Sequence, residues 1–238
     1  MEFSQQTVVI TGGTRGIGRA FAEAFHAAGA QVMVTGTGPV PPADLIGEYQ
    51  PLDLTNAEST ERFCRHLASR DRVDVLINNA GINIIKSLEE LTPEEFDRVA
   101  RVSYHGPFHL SQAVAPVMRR QGGGRIINLA SIWSVATKAK RSAYSAAKTG
   151  LVGLTRALAV ELAPAGILVN ALSPGFTLTE LTARSLKPEE QTALTAQIPL
   201  QRMAQPAEIA AVALFLASRR NTYLTGQNLV VDGGFTLV

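Results

Sequence analysis

The chain has 238 residues, of which 46% are hydrophobic and 18% charged; that is enough apolar material for one sizeable core, so a single domain over residues 1–238 is expected. Its 22 Lys and Arg residues are scattered without a basic block and the net charge is only +2, which argues against a nucleic-acid surface. No apolar run approaches the ~18 residues of a membrane span, and MEFSQQT lacks the basic start and apolar core of a signal peptide, so a cytoplasmic protein is expected.

The first element expected is a strand at Thr7–Thr11, uncharged and β-branched, as in a parallel strand buried on both faces. It runs into Gly12, Gly16 and Gly18, spaced Gly-x-x-x-Gly-x-Gly, and then into a helix with Ala20, Phe21, Ala24, Phe25 and Ala28 as its apolar set. Glycines there let the backbone approach a pyrophosphate, whose charge the helix N-terminus stabilises; a plain strand-to-helix turn is the other reading. A second strand is expected at Gln31–Thr35, followed by the proline-rich GTGPVPPADLIGE, where any helix is short or lost.

Further strands are expected at Tyr49–Asp53, Val73–Asn78, Arg125–Ser131, Ile167–Ser173 and Asn228–Asp232, with helices between them. The alternation predicts an α/β fold with a doubly wound, seven-stranded parallel sheet, and ligands at the carboxyl ends of its strands. Cys64, the single cysteine, sits in RFCRHL and reads as a small apolar residue on a helix. The run Ile209–Ala217 reads as a buried helix. His105 and His109 are spaced i and i+4, but no third ligand is placed to complete a metal site.

The densest chemical signal is SIWSVATKAKRSAYSAAK. Tyr144 and Lys148, at i and i+4, share a helix face, and an ammonium beside the phenol favours phenolate over its usual pKa of about 10. Ser131, on the strand before, can hold a substrate oxygen. Together they form a proton-transfer site for carbonyl or alcohol chemistry.

With Asn78-Asn79-Ala80-Gly81, Asp53, Ser173-Pro174-Gly175 and the final Asp232-Gly233-Gly234, these residues resemble the short-chain dehydrogenase/reductase family from Thr7 onward. The likeness is to its compact subtype, and within it to the 3-oxoacyl-[acyl-carrier-protein] reductases. It implies a Rossmann-type sheet with helices on both faces and a nicotinamide coenzyme. It also implies Tyr144 as proton donor, Lys148 tuning Tyr144 and holding the nicotinamide ribose, and Ser131 positioning the substrate oxygen. Coenzyme contacts are implied at Gly12, Thr14, Arg15, Gly16, Ile17, Gly18, Thr37, Asp53, Leu54, Asn79, Ala80, Gly81, Tyr144, Lys148, Pro174, Gly175 and Thr177. No metal is implied. Where the family carries a catalytic asparagine that holds a relay water, this chain has Ser103.

A segment of about 176–202, with Thr177, Thr179, Thr182, Lys187 and Pro188, would cover the substrate by the same likeness; a surface excursion without function is the alternative. Val34-Thr35-Gly36-Thr37 carries no carboxylate for a ribose 2′-hydroxyl, and Arg15 and Thr37 could meet a 2′-phosphate, so NADP(H) is favoured over NAD(H). Arg15 as a solvated loop charge is the other reading.

The expected function is reduction of a ketone or 3-oxo group. An NAD(H)-dependent alcohol or polyol dehydrogenase and a non-catalytic nucleotide sensor are the alternatives. Gly122-Gly123 and Ala165 stand where relatives that dock an acyl carrier carry basic residues, which weakens that assignment. Trp133 is the expected substrate contact, and Lys138, Lys140 and Arg141 could serve an anionic ligand or simply be solvated. The family likeness and the apolar surplus on Ser142–Ala163 imply a homo-oligomer, tetramer or dimer; the expected partner is otherwise a small carbonyl or alcohol substrate, with no nucleic acid and no membrane.

Overall fold

The computed structural model describes residues 1–180, 182 and 188–238; Lys187 lies outside the described residues, as does the side chain of Pro188. Seven strands form one sheet: β1 Thr7–Ile10, β2 Gln31–Gly36, β3 Glu48–Pro51, β4 Val75–Asn78, β5 Gly124–Leu129, β6 Ile167–Pro174 and β7 Asn228–Val231. Their order is β3-β2-β1-β4-β5-β6-β7, and every pair is parallel. The order reverses between β1 and β4, where a crevice opens at the carboxyl ends.

Alternation along the strands loads both faces. Val8, Ile10, Val32, Val34, Val75 and Ile77 pack against Phe21 and Phe25 of α1 (Gly16–Ala27) and against Ile209 and Leu216 of the helix Pro206–Ala217. Val9, Met33, Leu76, Ile126 and Val169 face the opposite layer. There they meet Phe63 and Leu67 of α2 (Ala57–Ala68), Leu110, Val114 and Met118 of the helix Gly106–Arg120, and Leu162 of the helix Ser142–Leu162. The apolar run from Ile209 is thus a helix that buries Ile209, Ala210, Ala213, Leu216 and Ala217. Cys64 is half-buried on α2 against the second layer, and burial pushes its thiol up.

Local chemistry sets the helix ends. The Asn56 side chain accepts from the Ser59 N–H at 2.9 Å to start α2. Thr92 and Glu95 form a capping box on α3 (Pro93–Ala100). After α3 the chain makes a π-turn, Arg101–His105, before α4 (Gly106–Arg120). Then come α5 (Ser142–Leu162), α6 (Pro188–Thr195) and α7 (Pro206–Ala217). Residues 37–47 form no helix, in keeping with their prolines. No described helix is long and apolar enough to cross a membrane.

Several strand ends shift by one or two residues from expectation, and at β5 the shift moves a site residue. β5 stops at Leu129, opposite Leu172, so Ser131 lies past the strand and caps a short 3-10 turn, Ile132–Ser134. Its hydroxyl oxygen accepts from the Trp133 N–H at 3.2 Å, a local bond that draws the backbone away from the sheet ladder.

Candidate active site

The glycine loop joins β1 to α1 at the crevice. Gly12 and Gly16 have φ of +64° and +57°, in the left-handed region where a side chain is disfavoured. A Cβ at Gly18 would stand 2.2 Å from the Gly12 carbonyl oxygen and 2.5 Å from Asn79 Nδ2, so the helix can come this close only without a side chain. The Asn79 amide donates to the carbonyls of Thr11 at 2.8 Å and Gly12 at 3.0 Å. Asn79 therefore holds the loop in shape through its amide nitrogen. Thr11, not foreseen as a site residue, accepts the N–H groups of Asn79 and Ala80 at 3.0 Å each. Its signal in the sequence was a buried hydroxyl at a strand end, a pattern too common to single out.

Around this cradle, Thr14 lies against Gly36, where an added Cβ would meet Thr14 Cγ2 and the Tyr49 hydroxyl at 3.0 Å each. Tyr49 is fixed there by donating to the Gly38 carbonyl. Arg15 and Thr37 are exposed on the same side, and among the described residues Arg15 has no carboxylate partner. A carboxylate not foreseen near the loop, Asp44, comes from the proline-rich segment and is neutralised by Arg19. Asp53 lies just beyond β3, where it accepts from the Thr55 N–H at 2.8 Å and hydroxyl at 2.7 Å. Leu54 is buried against Gly106. Gly81 faces inward: a Cβ on it would stand 3.6 Å from Lys148 Nζ and 3.9 Å from Ser103 Oγ.

Pro174 and Gly175 close β6 against the end of β7, with a Gly175 Cβ falling 2.7 Å from Asp232 Cα. Thr177 is buried and bonds the Gly175 carbonyl at 3.2 Å. Thr179 then reaches back to within 3.5 Å of a Cβ on Gly16. The segment that follows β6 thus approaches the glycine loop. This cradle of left-handed glycines and a helix start fits a dinucleotide pyrophosphate.

On the catalytic side, α5 carries Tyr144 and Lys148 on one face, and the Lys148 ammonium lies 5.7 Å from the Tyr144 ring centroid. Lys148 is buried and donates to the Leu129 carbonyl at 2.6 Å; burial brings its pKa down to about 8. The Tyr144 phenol differs from expectation. Burial raises it above the ordinary value, while the Ser131 hydroxyl and the Arg141 charge pull it down. The Lys148 ammonium bonds the Leu129 carbonyl of β5, and the lowering of the phenol comes from Ser131 and Arg141. Ser103, on the π-turn, is fully buried with its hydroxyl unpaired, beside Gly81 and Lys148.

Trp133 packs edge-on against Phe176 at 6.1 Å and Phe235 at 6.2 Å, which themselves meet at 5.1 Å. Phe235 was not foreseen. Asp232 holds it in place by accepting from the Gly234 N–H at 2.9 Å and the Thr236 N–H at 2.8 Å. Ser134 donates to the Ser131 carbonyl at 2.7 Å and joins Ser173 and Asn228 in one hydroxyl–amide network that links the turn after β5 to β6 and β7. His105 and His109 lie apart from all this, lining a cavity of about 520 Å³ between α2 and α4. Among the described residues no group of three or more His, Cys, Asp or Glu is placed to hold a metal ion.

Comparison with known proteins points the same way. Residues 12–236 match a family model described as enoyl-(acyl carrier protein) reductase. The chain is 36% identical to a 3-oxoacyl-[acyl-carrier-protein] reductase of Vibrio cholerae, with 100% of both chains covered. It is 34% identical to an NAD-dependent glycerol dehydrogenase of Listeria innocua, covering 98% of this chain and 95% of that one. A solved structure of a putative NAD(P)-dependent gluconate 5-dehydrogenase from Beutenbergia cavernae, with bound NADP, superposes with a TM-score of 0.91 at 36% identity, covering 99% and 98% of the two chains. The crevice with its glycine cradle, and likeness along the whole chain, make this protein an NAD(P)-dependent oxidoreductase of the short-chain dehydrogenase/reductase family.

Proposed function

We propose that the protein reduces the oxo group of a small ketone to a secondary alcohol, with NADP(H) preferred and Tyr144 as the proton donor. The observation that carries this reading is the meeting of the Ser131 hydroxyl, the Tyr144 phenol and the buried Lys148 at the carboxyl end of the sheet. A nicotinamide coenzyme in the glycine cradle would supply the hydride. Ser131, its oxygen accepting from Trp133 and its O–H acting on the Tyr144 phenol, would turn that O–H to a substrate oxygen bound between the two. Tyr144 delivers the proton to the oxygen that becomes the alcohol. The Lys148 ammonium would stabilise the phenolate formed and return a proton to it, and a water held by the unpaired Ser103 hydroxyl would resupply that proton from solvent.

The coenzyme would rest on Gly12, Thr14, Arg15, Gly16, Ile17 and Gly18, with Asp53 and Leu54 at the adenine, Ala80 and Gly81 along the ribose, and Pro174, Gly175 and Thr177 at the nicotinamide. NADP(H) preference is supported by the lack of a carboxylate in Val34-Thr35-Gly36-Thr37 and by exposed Arg15, which has no carboxylate partner among the described residues. The segment of about 176–202 covers the substrate in this reading. Exposed Phe108 on α4 and Val160 on α5 support association of copies through those helices. A cytoplasmic location accords with the sequence.

Initial rates of NADPH and, separately, NADH oxidation with a short 3-oxoacyl thioester, with Tyr144→Phe as the blank, test the proposal. A rate lost in Tyr144→Phe and favouring NADPH is expected; equal rates in the two proteins would remove Tyr144 from the chemistry. A second reading, oxidation of a polyol with NAD, is favoured by the glycerol dehydrogenase relative and by Gly122, which leaves a bare turn with nothing within 4 Å of an added Cβ where a carrier would dock. Faster NAD reduction with glycerol than NADPH oxidation with the thioester would select it.

A further inference from the structure

The loop between Ser131 and Tyr144 places three cations close together, Lys138, Lys140 and Arg141, and the fold sends them in different directions. Lys140 has a φ of +66°, a conformation uncommon for a lysine, and its charge acts on the carboxylate of Glu90, away from the mouth. Lys138 and Arg141 turn the other way. The Lys138 ammonium lies 5.7 Å and the Arg141 guanidinium 5.8 Å from the centroid of the Trp133 ring.

Neither cation is neutralised. Among the described residues no carboxylate lies within ion-pair distance of Lys138 or Arg141, whereas Arg19, Arg70, Arg72 and Arg202 each hold one. The Arg141 Nε is buried without a hydrogen-bond partner, an arrangement that costs free energy unless an acceptor arrives. Its neighbours say where that acceptor would sit. Arg141 is close enough to Tyr144 for its charge to act on the phenol, and Trp133 adjoins Ser131 through its backbone N–H, which donates to the Ser131 hydroxyl oxygen. The cationic edge therefore adjoins the two groups that would grip a reacting oxygen. The far side of Trp133 is closed by Phe176 and Phe235.

We propose that the substrate is an oxo acid, a ketone whose carboxylate, a few bonds from the oxo carbon, is bound by the guanidinium fork of Arg141 with Lys138 as an outer second cation. This rests on the ketoreductase reading above and specifies its substrate class. A carboxylate matches the side-on fork that Nε and the adjacent N–H present.

The test compares 2-, 3- and 4-oxo acids, led by acetoacetate, with their neutral carboxamides, using full-length protein with NADPH. The wild type is expected to favour the acid by on the order of 10- to 100-fold in kcat/KM. Arg141→Gln should bring that ratio near one, mainly through KM, and Arg141→Lys should keep part of it. Trp133, the single tryptophan, gives a readout independent of turnover. Its fluorescence in the NADP⁺-bound protein should change saturably with acetoacetate but not with acetoacetamide, and the response should vanish in Arg141→Gln.

A wild-type ratio near one, or a ratio unmoved by Arg141→Gln and Lys138→Ala, would overturn the inference and leave the two cations as props for Trp133. Preference for a phosphorylated ketone over the oxo acids would overturn the carboxylate assignment. Turnover of carboxamides that depends on Tyr144, with no acid preference and no fluorescence response, sinks this inference while the ketoreductase reading stands. A saturable response to acetoacetate that needs Arg141, with no turnover dependent on Tyr144, upholds the anion site and sinks that reading.

Discussion

Lys148, which the proposed reaction employs, is buried at the expense of stability. Its folded pKa of about 8 is below the 10.5 of a free lysine, so below pH 8 both folded and unfolded chains hold the proton and the folded state bears the full cost of a buried charge. Between pH 8 and 10.5 the unfolded chain binds more protons, and stability rises with pH. Lys148→Met is therefore expected to raise stability by up to about 3 kcal/mol at pH 7, a gain that shrinks toward zero by pH 10 in thermal melts, while turnover falls at least ~100-fold. Ser103→Ala should behave differently. It deletes a buried hydroxyl with no partner, so urea melts should show stability unchanged or higher by about 1 kcal/mol. A several-fold fall in kcat with an altered pH–rate profile would mark the relay, and an unaltered profile would exclude it. The i, i+4 pair and the glycine spacing were legible in the sequence because each depends on local geometry alone. The raised Tyr144 phenol was not, because burial is set by elements distant in sequence.

At the level of elements, α5 is fixed to the sheet by a buried polar chain. Asn78 donates to Asn128 at 2.8 Å, Asn128 to the Thr155 hydroxyl at 2.9 Å, and Thr155 to the Leu151 carbonyl at 2.8 Å. This joins β4 and β5 to the helix that carries Tyr144 and Lys148. Thr155→Val keeps the shape but strands a buried amide donor, so a loss of about 1–3 kcal/mol is expected in denaturant unfolding. The seven strands could be read from their apolar runs, and their ends agree within two residues. That Ser131 lies off β5 could not be read, since it leaves the ladder through a bond to its own neighbour two residues on. The missing helix between β2 and β3 was legible because prolines act locally. The network of Ser134, Ser173 and Asn228 was hidden, because it forms only when three strands meet.

For the molecule as a whole, the site draws on both halves of the chain. Phe235, near the last residue, closes on Trp133 and Phe176, which no reading of neighbouring residues could reveal. Phe235→Ala should cost about 1–3 kcal/mol of stability and raise KM more than it lowers kcat, as steady-state kinetics would show. Val160, 80% exposed on α5, offers a second check: Val160→Asp should lower the mass found by light scattering if copies meet on that face. The all-parallel order also fixes a sequence of events as the chain leaves the ribosome. β1, β2, β3 and β4, with the glycine loop and Asn79, lie within the first 78 or 79 residues, so the coenzyme half can assemble while the catalytic half is still unmade. Ser131 and Tyr144 follow, and β7 with Phe235 arrives last at the sheet edge. In chain order the coenzyme cradle thus precedes the residues proposed to act on a substrate, and Phe235 is the last of the three aromatic residues to be made.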